Sequence, residues 1–199
     1  MPAGICLLRP RMSKGNLGNL PFRTVFLVGF MGSGKTSVGQ VLAALLDRSF
    51  VDLDDRIQAR EGRSIAEIFR QSGESSFRDS EHEALRDLLE EVASSPARVV
   101  SLGGGAFAQA RNAALLADDG SLVVFLDAAP SELLRRCREQ GTERPLSQDE
   151  KRFHELYVER KPHYLKAALR IDTTGREIHA IAREIAARLE VQAKSAKEK

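Results

Sequence analysis

The chain has 199 residues, 42% hydrophobic and 29% charged, which is enough apolar material for one compact domain with its own core. A formal net charge of +2, with basic residues spread over helices and loops, excludes the concentrated basic stripe of a nucleic-acid binder. No apolar run reaches the ~20 residues of a membrane-spanning helix, and the two distant cysteines, Cys6 and Cys137, make neither a disulfide framework nor a zinc site and read as free thiols in a reducing cytosol.

Residues 1–22 carry Gly4, Gly15, Gly18, Pro2, Pro10 and Pro21 without periodicity and read as a flexible leader. Its apolar start, Met1–Leu8, precedes Arg9 and Arg11, the reverse of a secretory signal, so a cytoplasmic protein is expected; Met12 offers a second start. Thr24–Gly29 is a short apolar run suited to a strand buried on both faces. Thr36–Leu46 places Val38, Val41, Leu42, Leu45 and Leu46 at helical spacing. Phe50–Leu53 reads as a second strand, Ser64–Gln71 and Ser76–Val92 as helices, and Arg98–Leu102 as a third strand stopped by Gly103-Gly104-Gly105. Gln109–Leu116 is helical, Ser121–Asp127 a strand, Ser131–Glu139 a helix, Arg170–Asp172 a short strand and Glu177–Leu189 the closing helix. One domain over 23–190, with a charged tail at 191–199, is expected. Strands alternating with helices predict an α/β fold with a parallel sheet, whose ligands bind beyond the carboxyl ends of the strands.

The motifs fall at those ends. Gly29-Phe-Met-Gly-Ser-Gly34-Lys35-Thr36 matches G-x-x-x-x-G-K-[ST] between a strand and a helix. Its glycines let successive N–H groups face one oxyanion, and the new helix adds its positive end. Lys35 would reach the β- and γ-phosphates of a nucleotide, and the Thr36 hydroxyl would ligate Mg²⁺. Asp52-Leu-Asp54-Asp55 ends the second strand, where alternation puts Asp52 and Asp54 on one side. One of these carboxylates suits Mg²⁺ and the other a hydroxyl proton, which leaves Asp55 as the cap of the following helix.

Arg78 and Glu81 stand three apart on a helix, either as a solvated pair or as a planar fork oriented by Glu81 to grip a carboxylate. The 103–105 turn lets a ligand approach main chain. Arg160 precedes Pro162, which must end or kink its helix, and offers a second grip on the same anion. Gln140–Gln148, rich in turn formers, reads as a mobile lid (about 140–150) whose Arg144 neutralises the transferring phosphoryl. Arg136 and Arg176 are open between adenine contact and plain surface arginine, and Arg135 is a neighbouring surface cation. His82, His154, His163 and His179 share no metal-ligand spacing.

In order along the chain, GFMGSGKT, Asp52-x-Asp54, FRDSE at 77–81, GGG at 103–105, RPL at 144–146 and RKPHY at 160–164 resemble the motifs of shikimate kinases, in the nucleoside-monophosphate-kinase-like P-loop group. The resemblance covers about Arg23 to Leu189. It implies a three-layer fold with a five-stranded parallel sheet in order 2-3-1-4-5 and a lid, usually monomeric, in aromatic amino-acid biosynthesis. It further implies that Gly32, Ser33, Gly34, Lys35, Thr36 and Ser37 hold ATP, with Arg144, Arg136 and Arg176. Thr36 and Asp52 would serve Mg²⁺. Arg78 and Arg160 would hold the shikimate carboxylate, Gly104 would touch the ring hydroxyls through its backbone with Gly103 and Gly105 beside it in the substrate site, and Asp54 would contact the 3-hydroxyl as candidate base. The alternatives are a gluconokinase-like sugar-acid kinase and a non-catalytic nucleotide-binding sensor of shikimate. The GGG turn and RKPHY weigh against the first; intact Lys35, Asp52, Asp54 and Arg144 weigh against the second.

Overall fold

The computed structural model describes residues 24–94, 97–139 and 149–197. The leader expected at 1–22 and the lid segment 140–148, with Arg144, lie outside the described residues. Five strands form one parallel sheet: β1 (Thr24–Val28), β2 (Ser49–Asp52), β3 (Arg98–Ser101), β4 (Leu122–Asp127) and β5 (Leu169–Asp172), in the order β2-β3-β1-β4-β5. Helices α1 (Lys35–Leu46), α2 (Leu53–Glu61), α3 (Ile65–Ser94), α4 (Ala110–Asp118), α5 (Pro130–Glu139), α6 (Glu150–Tyr164) and α7 (Ile178–Lys197) cover both faces. α7 thus runs past residue 190, where a frayed tail was expected. Among the described residues no helix is long and apolar enough to cross a membrane.

The two faces follow from alternation along β1. Val25 and Leu27 point to one core with Val38 and Leu42 of α1 and Ile185 and Leu189 of α7. Phe26 and Val28 point to the other, with Ile57 of α2, Leu85 of α3 and Phe153 of α6. All five β1 side chains are buried, as a central parallel strand requires. Register then levels the carboxyl ends: Leu27 and Asp52 both pair with Ser101, Val28 pairs with Phe125, and Asp127 pairs with Asp172.

The two helices expected at 64–71 and 76–92 form and meet without a loop at Gly73 (φ 79, ψ 174), where α3 is broken. One local expectation is corrected. Pro162 does not end α6, which continues to Tyr164. Two residues from the end, its missing N–H costs a single helical bond, so Arg160 stays on a rigid helix.

Phe30, the residue after Gly29, is 1% exposed and sits edge-on to Phe153 (centroids 5.0 Å) and Tyr157 (5.6 Å) of α6. These contacts staple the glycine-rich loop to α6. Phe30→Ala is expected to cost about 3–5 kcal/mol of stability, read as a lower urea midpoint at unchanged slope. An unshifted midpoint would mean that the staple is not there.

Candidate active site

The loop 29–36 curls over the end of β1. Gly32 has φ 78, and a Cβ there would lie 2.6 Å from the Leu133 carbonyl of α5, so only glycine fits. Gly34, in the left-handed region (φ 87), caps α1 without a side chain. Inside the arch the Lys35 ammonium donates to the carbonyls of Gly29 (2.9 Å) and Phe30 (3.1 Å). Thr36 opens α1 on the exposed side and donates from Oγ1 to Asp52 Oδ2 at 2.9 Å. Ser33 is buried beside Gly29, and Ser37 lies on the first turn of α1.

Asp52 is the N-cap of α2: its backbone is extended (φ −97, ψ 124) and its Oδ1 accepts from the Asp54 amide at 3.1 Å. This corrects the assignment of the cap to Asp55, which is exposed on the first turn. It also corrects the strand alternation expected through Asp54. β2 stops at Asp52 and the helix turns the two carboxylates apart, so Asp52 faces Thr36 while Asp54 faces the 103–105 turn. Leu53 between them is fully buried.

At that turn the close approaches are made by charged side chains. A Cβ on Gly103 would lie 2.7 Å from Asp54 Oδ1 and 3.0 Å from Glu81 Oε1. One on Gly105 would lie 2.6 Å from Nη1 of Arg78. One on Gly104 would lie 3.7 Å from Gly29 O and Met31 N, and 3.8 Å from Nη1 of Arg160. Tyr164 of α6 donates its hydroxyl to the Gly104 carbonyl. The glycine-rich loop, the arginines and the carboxylate therefore share one cleft, bridged by Gly104.

Glu81 has no exposed side-chain surface. Its Oε2 accepts from Arg78 Nη1 at 3.0 Å and from the Gln109 amide, while Oε1 has no hydrogen-bond partner among the described residues. Burial pushes its carboxyl up to about 7, against the downward pull of Arg78, and the Asp54 charge adds to the rise. Arg78 also donates to the exposed Glu74 from Nε (3.3 Å) and Nη2 (3.0 Å).

On the other side of the loop, a cleft of about 340 Å³ is lined by Gly32, Ser37, Arg136, Gly175, Arg176 and Ile178, among others. Arg136 and Arg176 both reach it, but each is tethered. Arg136 bonds Glu132 Oε1 (2.9 Å), the Thr173 carbonyl (2.7 Å) and, from Nη1, Gly32 O (3.4 Å). Arg176 pairs with Glu184 at 2.6 Å and donates to the Asp172 carbonyl. Arg135 is a surface cation paired with Glu132 and Glu139. Cys137 is buried against Gly32. His82 bonds the buried Asn112.

The sequence reading passed over Gln109, Asn112 and the Tyr164 hydroxyl. Their side chains act across separations of 28, 30 and 60 residues, beyond any local pattern. As chemistry, the cleft offers an anion cradle, a hydroxyl–carboxylate pair of hard oxygens, an anion grip of two guanidiniums, and a carboxylate between cradle and grip.

A sequence-family model described as shikimate kinase matches residues 31–190. A shikimate kinase of Geobacter metallireducens is 44% identical over 171 residues, covering 84% of this chain and 92% of that protein. One of Persephonella marina is 39% identical over 167 residues, covering 84% and 99%. Among solved structures, shikimate kinase from Acinetobacter baumannii in complex with shikimate superposes with a TM-score of 0.78 at 32% identity, covering 87% of this chain and 96% of that one.

Glu81 imposes a pH signature on stability. Its carboxyl is raised from 4.5 to about 7 in the folded state. The unfolded chain therefore releases this proton first, so stability falls as pH rises from about 4.5 and the loss is complete above about 7. At about 1.4 kcal/mol per unit the loss is about 3 kcal/mol. Unfolding measured from pH 5 to 8 should show this slope in the wild type and not in Glu81→Gln; parallel slopes would refute the buried charge.

Proposed function

The chain belongs to the shikimate kinase family, and on that premise we propose how its cleft carries the reaction. The activity is ATP-dependent transfer of the γ-phosphate to the 3-hydroxyl of shikimate, giving shikimate 3-phosphate and ADP. The observation that supports the proposed site is the contact of Gly104 with both Gly29 and Arg160, which makes phosphate cradle and anion grip neighbours.

The backbone of Gly32–Ser37 holds the β- and γ-phosphates, with Lys35 turned from the carbonyls of its own loop onto them. Arg136 and Arg176 border the cleft for the nucleoside. Thr36 and Asp52 fit Mg²⁺, because their oxygens stand side by side (2.9 Å) on an exposed edge. That ion is usually held by one or two protein oxygens plus phosphate and water. Bound there, Mg²⁺ would supply charge neutralisation at the phosphates. Arg78 and Arg160 grip the shikimate carboxylate, and Gly103, Gly104 and Gly105 let the ring lie against main chain. Asp54 orients the 3-hydroxyl and takes its proton as the oxygen bonds phosphorus and the bond to ADP breaks. Arg144 is assigned to neutralise charge on the transferring phosphoryl. The reading includes a monomer acting in the cytoplasm, as the family resemblance implies. A gluconokinase-like reaction and a silent sensor are not favoured by the family or by the intact Lys35 and Asp54.

An ATP-coupled assay should give ADP release with shikimate and background with gluconate and nucleoside monophosphates; a faster second substrate would overturn the assignment. Asp54→Asn is expected to lower kcat by about 10²–10⁴-fold with the ATP KM little changed, and full turnover would remove Asp54 as base. Arg78→Ala should raise the shikimate KM about 10- to 100-fold, since a charge-assisted contact is lost; an unmoved KM would reassign that arginine.

A further inference from the structure

We propose that Gln109 is a positioning residue for this reaction, acting through Glu81 to hold Arg78 in the pose that grips the substrate carboxylate. The proposal rests on the reading of Arg78 given above.

The start of α4 clamps the segment of α3 that carries Arg78. The Gln109 amide donates to Glu81 Oε2. Arg111 donates to the Arg78 carbonyl (2.6 Å) and pairs with Asp79 (2.8 Å). Asn112, fully buried, bonds His82 through Oδ1 (2.8 Å) and donates from Nδ2 to the Ala106 carbonyl (3.1 Å), just past the glycine turn. Of these contacts, only the Gln109 contact reaches the carboxylate that faces the cleft.

Arg78 has two carboxylates to choose from. Glu74 is exposed and draws the guanidinium outward, with two of its nitrogens already engaged. Glu81 is buried and draws it inward. An exposed pair is favoured by solvation, whereas a buried carboxylate holds its partner well only when charged and fully bonded. Gln109 supplies the second bond on Oε2. It anchors that oxygen, leaves Oε1 turned to Gly103 and Asp54, and favours the charged form. The groups facing Glu81 are Arg78 on its own helix, Asp54 of α2, Arg160 and Tyr164 of α6, and Gln109. The first and third favour its charge, and Asp54 opposes it. Gln109 is the neutral group of this set that donates to Glu81 itself, so removing it tips the balance without altering net charge.

Gln109→Leu keeps the side chain's bulk and removes the donor. It is expected to raise the shikimate KM about tenfold, to leave kcat and the ATP KM within about twofold, and to move the acid limb of kcat/KM for shikimate to higher pH. In an Arg78→Ala background the same change should add almost nothing, because its route is gone. Thermal unfolding of each variant separates a packing defect. A wild-type KM and pH profile, an equal loss for ATP and shikimate with a lowered Tm, or an undiminished effect in the Arg78→Ala background would each overturn the proposal. Wild-type enzyme without shikimate-dependent ADP release would overturn the function itself, and the proposal with it.

Discussion

Burial of the Glu81 carboxylate is the constraint from which the rest of the substrate side follows. A carboxylate taken out of water costs several kcal/mol unless it is paired and hydrogen-bonded. Here three elements meet that demand. α3 supplies Arg78 at one turn's distance, the N-cap of α4 supplies Gln109, and the turn after β3 supplies space. A Cβ on Gly103 or Gly105 would displace the charged tips of Asp54, Glu81 and Arg78 that stand where it would go. The glycine run is thus first an accommodation of the protein's own charges, and only then a floor for a ligand. The partly compensated carboxylate keeps its affinity for a proton near neutrality, which ties the readiness of Arg78 to its bonding partners.

α6 plays the complementary part. Its aromatic face, Phe153 and Tyr157, receives Phe30 from the phosphate-binding loop. One to two turns later it delivers Arg160 and the Tyr164 hydroxyl to Gly104. Nucleotide cradle and substrate grip are therefore mounted on one strut. Phosphoryl transfer depends on holding two reactants in line, because the protein contributes little covalent chemistry. A helix that packs against one site and forms part of the other preserves that alignment better than two loops could. Asp52 works similarly on a smaller scale: it caps α2 with one oxygen and takes the Thr36 hydroxyl with the other. The start of α1 and the start of α2 are thereby tied across the edge of the sheet.

The sequence alone determined the elements and the chemistry that local patterns encode. Apolar runs and helical spacing identified the strands and helices, and G-x-x-x-x-G-K-T announced the phosphate loop, because turn geometry and anion binding need those residues at fixed offsets. The ordered motifs also carried the family resemblance, and with it the strand order. Only the tertiary structure decided how the charges are shared out. Asp52 and Asp54 are two residues apart, yet the strand-to-helix break turns them to different partners. Arg78 was legible as a candidate grip, but its choice between Glu74 and Glu81 was not. Arg136 and Arg176 emerged as tethered wall residues of the nucleoside-side cleft only once Thr173, Gly32 and Glu184 were in place. Gln109 and Tyr164 reach partners 28 and 60 residues away, and burial and pairing at such separations depend on how the packed elements meet, which no local period in the chain records.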